Sequence, residues 1–559
     1  MKIYISKTLS ITDYEGFHLV QDHIGTNFGS PWDDFGYKVT FKLYHVSKGK
    51  FNKVGTLKLL IDGQKHTASY LYEKGEQISK NIFDVTEMIG DLKAVSLGES
   101  IDYYQKLSFV LGEVQEKVDN LLSHLHDASY LYENIAEFVQ FDGYDETIGR
   151  DGETTKSLIR KGYHVALGTY ETETRFNLQL DEPSETMDPI EFKFNTSKEI
   201  AKTNINLLIG ENGAGKSYVL KRITEVMSGV HENSHSWPFF HKLIVTAYSP
   251  FESFYTKTQL LDMLDKKHEK PKRKRKSKDR RNIQINKYAY IGFKDDRSNF
   301  NLNWPKESSV KSIKSIMKYD REENWWNEDN RLKTLKDTLS LCMDFDDIAV
   351  KLISTGEFYK VNSQKTKSFN ERKEDFDEKE GLFFLKNNDP ISLSSGQEIF
   401  SYMIPSLVAE IEDESLIIID EPELYLHPTL EVALINMLKK LLSETKSSAI
   451  IATHSPLIAR EVARDGIVIL KNNNGYTRAV KPEIQTYGES LEIIIGETFE
   501  DFHTDKPFQS EIDQLKQKEG LDNIDSMLSK YSTKIGDEAL AYLSASASEV
   551  DDDIDFEVR

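Results

Sequence analysis

Apolar positions recur with different periods along the chain, and each period predicts a different kind of element. Partial alternation over Tyr37–His45 and the apolar run Val54–Ile61, which ends at an Asp62-Gly63 turn signal, predict strands in a β-rich start of roughly 85 residues. The spacing then lengthens. Leu107, Leu111, Val114, Val118, Leu121, Leu125, Ala128, Tyr132, Ile135 and Val139 follow at steps of four and three, which predicts one long helix laid on a core, a helical hairpin or a coiled-coil seam. Polar sequence at 141–156 reads as a loop, and strand-like pieces follow at 174–180 and 190–195. Four short, almost wholly apolar runs come next: Ile205–Ile209, Leu243–Ala247, Leu416–Ile419 and Ala449–Ala452. Each reads as an apolar strand. Leu220, Ile223 and Val226 put one apolar face on a helix directly after the first of them. Tyr288–Phe293 reads as a further strand and the stretch around Leu332–Met343 as a helix.

Composition bounds this pattern without explaining it. A chain of 559 residues predicts about three structural units. With 29% charged and 38% hydrophobic residues it reads as a soluble globular protein, and no apolar stretch approaches the ~20 residues that cross a bilayer. Met1–Ser6 lacks the apolar core of a signal peptide, and the single cysteine, Cys342, excludes a disulfide framework and a cysteine-based metal site. A reducing cytoplasm is the expected location. The net charge of −21 is uneven: residues 266–281 hold eleven basic and two acidic side chains, leaving −30 on the remainder. So hydrophilic a tract predicts a mobile loop. It could contact nucleic acid through phosphates, remain a solvated loop, or pair with the acidic tail at 549–557.

The chemistry sits where the apolar runs end. Gly210-Glu211-Asn212-Gly213-Ala214-Gly215-Lys216-Ser217 lies between a strand and a helix, the setting in which G-x-x-x-x-G-K-[ST] forms a phosphate cradle. Its glycines let backbone N–H groups turn towards phosphate oxygens, and the helix start adds a positive dipole end. Lys216 reaches the β- and γ-phosphates, the Ser217 hydroxyl ligates Mg²⁺, and Tyr218 is expected to join the loop in binding nucleotide. Downstream, Leu416–Ile419 ends in Asp420-Glu421, with Asp420 placed to hold the Mg²⁺ shell and Glu421 to activate water. Two acids could also close a strand with no chemical role. His454 ends the strand Ala449–Thr453 at a crevice-facing position, where a lone histidine is more often structural.

Leu393-Ser394-Ser395-Gly396-Gln397 resembles the Leu-Ser-Gly-Gly-Gln signature of ATP-binding-cassette (ABC) ATPases, with one glycine replaced by serine. Phosphate loop, signature, acidic pair and histidine stand in the order of an ABC-class head. The resemblance implies a P-loop α/β fold with a mixed β-sheet, a helical insertion and an N-terminal β-rich and helical lobe. It implies ATP and Mg²⁺ as cofactors, and ATP hydrolysis with Glu421 and His454 as catalytic groups. The wording Asp420-Glu421-Pro422-Glu423-Leu424-Tyr425-Leu426-His427-Pro428 resembles the RecF/SMC-like and OLD-type branch. Ser249-Pro250-Phe251, Tyr288–Phe293 and Thr486–Glu492 look most like anti-phage defence ATPases of the Septu (PtuA) type, including retron-associated ones.

That resemblance implies a homodimer joined by two ATP molecules, with Ser394, Ser395, Gly396 and Gln397 capping the nucleotide of the other copy. It further implies an HNH-type partner nuclease and, for a retron version, a reverse transcriptase with its RNA–DNA product. A RecF/SMC-like ATPase acting directly on DNA in repair or recombination is the alternative, and a transporter cassette a third reading. The expected organisation is a lobe at 1–185 partly joined to the ATPase sheet, head segments at 186–250 and 386–475, an insertion at 251–385, and a helical segment with an acidic tail at 476–559. Two departures stand out. The glutamine usual after the strand ending near 247 is missing, with Ser249 or Gln259 as substitutes, and the aspartate usual near His427 is replaced. About 85 residues follow Leu470, and the Asp551–Asp555 cluster has no strand framework to hold metal, so no nuclease site is expected in this chain.

Overall fold

The computed structural model describes residues 1–151, 153–181, 183–235, 237–267, 288–326, 330–362, 366–499, 506–519 and 524–548. All but the first two residues of the basic tract, and the whole acidic cluster at 549–557, lie outside them. The chain divides into two compact units, 1–488 and 489–559.

The first unit opens with strands β1 (Ile3–Ser6), β2 (Gly16–Gln21), β3 (Thr40–Ser47), β4 (Lys50–Ile61), β5 (Glu76–Ser79), β6 (Ile82–Asp84) and β7 (Ala94–Gly98). They form one sheet in the order β5-β6-β1-β2-β3-β4-β7. This lobe has a sheet of its own and lends no strand to the ATPase sheet, contrary to the expectation of a partly shared one. Helices Ile101–Leu111 and Glu153–Ala166 pack beside it, closing a core that includes Phe41, Tyr103, Tyr104 and Leu121.

The stripe from Leu107 to Val139 is not one long helix. Helix Ile101–Leu111 stops at Gly112 (φ 66°), and Glu113 is also left-handed (φ 58°), so two consecutive residues turn the chain out of the helical path. A second helix, Gln115–His124, carries the stripe on before His126 (φ 53°) ends it again. Val114, Tyr132 and Val139 are exposed. Periodicity survived the breaks because each short piece kept its own buried face.

A hairpin, β8 (Arg175–Leu180) and β9 (Ile190–Asn195), leads into the ATPase sheet. Asn206 joins the two: its side chain accepts from Lys193 N at 3.2 Å and donates to Lys193 O at 3.0 Å. The sheet comprises β10 (Ile205–Gly210), β11 (Leu243–Ala247), β12 (Tyr288–Gly292), β17 (Leu416–Asp420), β18 (Ser448–Ala452), β19 (Ile467–Asn473) and β20 (Tyr476–Val480). Its order is β12-β11-β17-β18-β10-β19-β20. Neighbours are parallel throughout except at the antiparallel edge pair β19–β20. The strands β10, β11, β17 and β18 are buried along nearly their whole length, as their continuous apolar composition requires.

The insertion is not helical alone. It contributes β12 to the ATPase sheet and carries a separate antiparallel sheet of β13 (Asp347–Lys351), β14 (Phe358–Lys360), β15 (Leu382–Lys386) and β16 (Asp389–Pro390). Its helices Trp304–Glu323 and Arg331–Leu339 pack on helix Ser395–Glu410. The head also runs past residue 475: Asn474 (φ 52°) and Gly475 (φ 88°) form a tight turn rather than a boundary, and β20 returns along β19. The second unit contains helices Leu491–Thr498, Pro507–Glu519, Ile524–Tyr531 and Asp537–Ser548, with Ile512, Met527 and Leu543 as a small core. No helix among the described residues is long and apolar enough to cross a membrane.

Candidate functional site

The parallel order brings the carboxyl ends of β10, β17 and β18 side by side, so residues far apart in sequence meet at one edge. From β10 the chain enters the phosphate loop. Gly210 lies opposite Leu470 in β19, where a Cβ would sit 2.6 Å from Leu470 O. Gly213 (φ 85°) and Gly215 (φ 96°) turn the loop through left-handed backbone, and Gly215 caps helix Lys216–Met227. Lys216 Nζ lies 3.0 Å from Gly210 O, 3.3 Å from Glu211 O and 2.6 Å from His454 Nε2. Burial lowers the Lys216 pKa, against the pull of Glu421, Asp420 and Glu423.

Asp420 ends β17 between Ala247 and Ala452, whose small side chains leave room for it. Ser217 Oγ donates to Asp420 Oδ1 at 3.1 Å. Burial pushes the Asp420 carboxyl up to about 6, Glu421 and Glu252 adding to the rise while the Ser217 hydroxyl and Lys216 oppose it. Glu421 is left-handed (φ 45°, ψ 58°) and donates its N–H to Ala452 O at 2.9 Å. Such backbone costs a non-glycine residue about 1–3 kcal/mol and persists where its surroundings enforce it, as at functional sites. Glu421 Oε1 stands 3.5 Å from His454 Nε2. The imidazole accepts from Lys216, which favours neutral His454 with its proton on Nδ1. Burial and Lys216 both lower the His454 pKa, and Glu421 raises it.

Two residues with no assigned role in the sequence reading support this edge. Glu423 Oε1 accepts the His454 N–H at 2.6 Å, and Glu431 accepts a short hydrogen bond from Ser455 Oγ, which caps the helix following His454. An acid two residues beyond the Asp-Glu pair was the available signal for Glu423. Nothing local pointed to Glu431, which lies a helical turn into Pro428–Glu444.

The remaining expected site residues fall elsewhere. Ser394 caps helix Ser395–Glu410, accepting from Gln397 N at 3.4 Å, while Gln397 Oε1 accepts from Ser394 N and its Nε2 donates to Cys342 O at 3.2 Å. Ser394 and Ser395 are exposed; Gly396 is buried where a Cβ would strike Leu430. Ser394 and Gln397 bond each other within this cap, and Gln397 also ties it to Cys342 in the insertion. Tyr218 is exposed and donates to Pro183 O at 2.9 Å. Gln259 accepts from Thr256 N at the start of helix Lys257–Lys267, and Ser249 accepts from Phe251 N. On that side Glu252, whose carboxylate accepts from Tyr290 and Lys294, adds to the rise of the Asp420 carboxyl.

The donor set at β17 fits a small hard cation. Hydroxyl and carboxylate oxygens stand together, and no group of three or more His, Cys, Asp or Glu able to hold a metal occurs among the described residues. Phosphate oxygens and water would complete the shell, as Mg²⁺ prefers.

Strand order, phosphate loop and acidic strand end together define an ABC-class head, an α/β P-loop ATPase fold. Residues 205–460 match the family model described as "AAA domain, putative AbiEii toxin, Type IV TA system". The chain is 25% identical over 538 residues to protein ea59 of Escherichia phage lambda, covering 92% of this chain and 93% of that one. Among solved structures, the SMC head domain from Thermotoga maritima aligns at 12% identity, with a TM-score of 0.27, over 56% of this chain and all of that one. A nucleotide-free ATP-binding cassette from an ABC transporter aligns at 11% identity, with a TM-score of 0.28, over 59% of this chain and all of that one. At such scores the fold assignment rests on the strand order and motif geometry described above.

Proposed function

We propose that this chain binds and hydrolyses ATP as a homodimer and uses that cycle to govern a separate nuclease in defence against phage. The observation carrying the reading is the convergence of Lys216, Asp420, Glu421 and His454 from three strand ends. Lys216 and the loop amides hold the β- and γ-phosphates. Ser217 and Asp420 hold Mg²⁺, which when bound neutralises phosphate charge. Glu421 orients and deprotonates the attacking water, and His454, shared between Lys216 and Glu421, reports on the γ-phosphate.

The cap at Ser394–Gln397 opens a 16-residue helix and presents its positive end to the nucleotide of a second copy. Two such sites close one dimer. The relative in Escherichia phage lambda and the AbiEii wording of the family description support a role in phage conflict. The effector is then a partner nuclease of HNH type, with a reverse transcriptase and its RNA–DNA product in a retron arrangement. The basic tract at 266–281 offers phosphate contacts to nucleic acid.

Turnover and oligomeric state test the reading together. Lys216→Ala should abolish hydrolysis, and Glu421→Gln should bind ATP without turnover and run as a dimer in light scattering. Unchanged hydrolysis in both variants refutes the site. Co-purification from the native operon tests the partner: ATP-dependent duplex binding by the chain alone, without a nuclease, favours direct action on DNA.

A further inference from the structure

We propose that Glu414 is a positioning residue through which the N-terminal lobe sets the geometry of the ATP site. The inference rests on the ATPase reading above. Residues 411–415 join two parts of the engine: helix Ser395–Glu410, whose first turn carries the Ser394–Gln397 cap, and β17, which ends in Asp420. A shift of this short loop moves both.

The lobe grips the loop directly. Lys161, on helix Glu153–Ala166, donates to Glu414 Oε2 at 2.6 Å, and the Tyr170 hydroxyl reaches the same oxygen at 3.2 Å. Gln105, on helix Ile101–Leu111, donates to Asp413 Oδ2 at 3.3 Å. The insertion holds the loop from the other side. Arg331 donates to Ala409 O at 2.5 Å and to Ile411 O at 2.8 Å, covering carbonyls at the end of the signature helix. Lobe, insertion, signature helix and β17 therefore meet at five residues.

The loop that the lobe grips is strained. Glu414 has φ 55°, left-handed for a residue with a side chain. Its backbone is pinned by N–H to Thr445 O at 2.9 Å and by its carbonyl, which accepts from His241 N at 3.0 Å. A cavity of about 200 Å³ beside it, lined in part by Gln105, Tyr170, Asp413 and Glu414, leaves space for the loop to relax if the grip is lost. A strained loop whose acidic side chains are held by another lobe, and which borders a cavity, can take a second position when that hold is lost. The loop joins the lobe to both walls of the nucleotide site, so nucleotide bound there should be felt in the lobe through it.

The test uses the full chain with Lys161→Ala, Glu414→Gln and the conservative Lys161→Arg. Lys161→Ala and Glu414→Gln should each lower kcat about fivefold to tenfold, change KM for ATP less than twofold, and still bind one nucleotide per chain. Lys161→Arg should restore kcat to within twofold. Hydrogen exchange with a non-hydrolysable ATP analogue supplies a readout independent of turnover. In the wild type the analogue should slow exchange in 153–170, and in Lys161→Ala that response should vanish. A lobe response that persists in Lys161→Ala, or a kcat unchanged or raised by both disruptive variants, overturns the proposal. Should wild-type hydrolysis prove independent of Lys216, the ATPase reading itself fails, and the exchange arm still judges the coupling.

Discussion

Glu423→Ala isolates the seat of His454 from the phosphate loop. Glu423 Oε1 accepts the His454 N–H at 2.6 Å. Burial raises the Glu423 carboxyl, and that N–H holds it down, so the bond couples the acid to the strand end. Hydrogen bonds to charged groups contribute about 1.5–3 kcal/mol, and truncating the acceptor leaves the half-buried N–H without its partner. If the whole loss falls on the imidazole, now 2.6 Å from Lys216 and 3.5 Å from Glu421, the correct placement becomes about 10- to 150-fold rarer. The proposed phosphate binding through the loop amides uses no group of Glu423. Steady-state ATPase assays should therefore show kcat falling at least tenfold with KM within threefold of wild type. Glu423→Gln keeps a carbonyl acceptor and should lose no more than threefold. Equal damage from Gln and Ala, or an unchanged kcat in Glu423→Ala, would refute the reasoning.

Further outcomes follow from single contacts. Gly210→Ala drives a Cβ to 2.6 Å from Leu470 O between paired strands and should cost about 1–3 kcal/mol in denaturant titrations, with lost nucleotide binding. Asn206→Leu leaves Lys193 N and O without the side chain that ties β9 to β10 and should cost about 2 kcal/mol. Asp127 is fully buried and its carboxyl is pushed up to about 6 by desolvation, against hydrogen bonds from Ser129 and Tyr104. A carboxyl raised on folding favours the folded state most below its unfolded pKa near 4, and that contribution is lost as pH rises through 6. Asp127→Asn should flatten the stability–pH curve between pH 4 and 6 by roughly 3 kcal/mol relative to wild type, read by urea unfolding.

Local order in the sequence determined the parts that act within one element. Gly210–Ser217 between an apolar run and an amphipathic helix determined a phosphate loop, because the turn needs its glycines and the helix its stripe regardless of what lies beyond. The apolar runs ending in Asp420-Glu421 and His454 likewise determined strands with polar residues at their carboxyl ends. Only the tertiary structure decided which ends are neighbours: the order β17-β18-β10 puts His454 against Lys216, 238 residues away in sequence. It also decided the breaks at Gly112-Glu113, where periodicity continues across two left-handed residues, and the separate four-stranded sheet of the insertion. The contacts of Glu431 and Lys161 were invisible for the same reason, and Glu423 showed only as an acid beyond the Asp-Glu pair. Spacing along a chain encodes which face a residue occupies, but a hydrogen bond between elements depends on how those faces are brought together, and that is settled by packing over the whole unit.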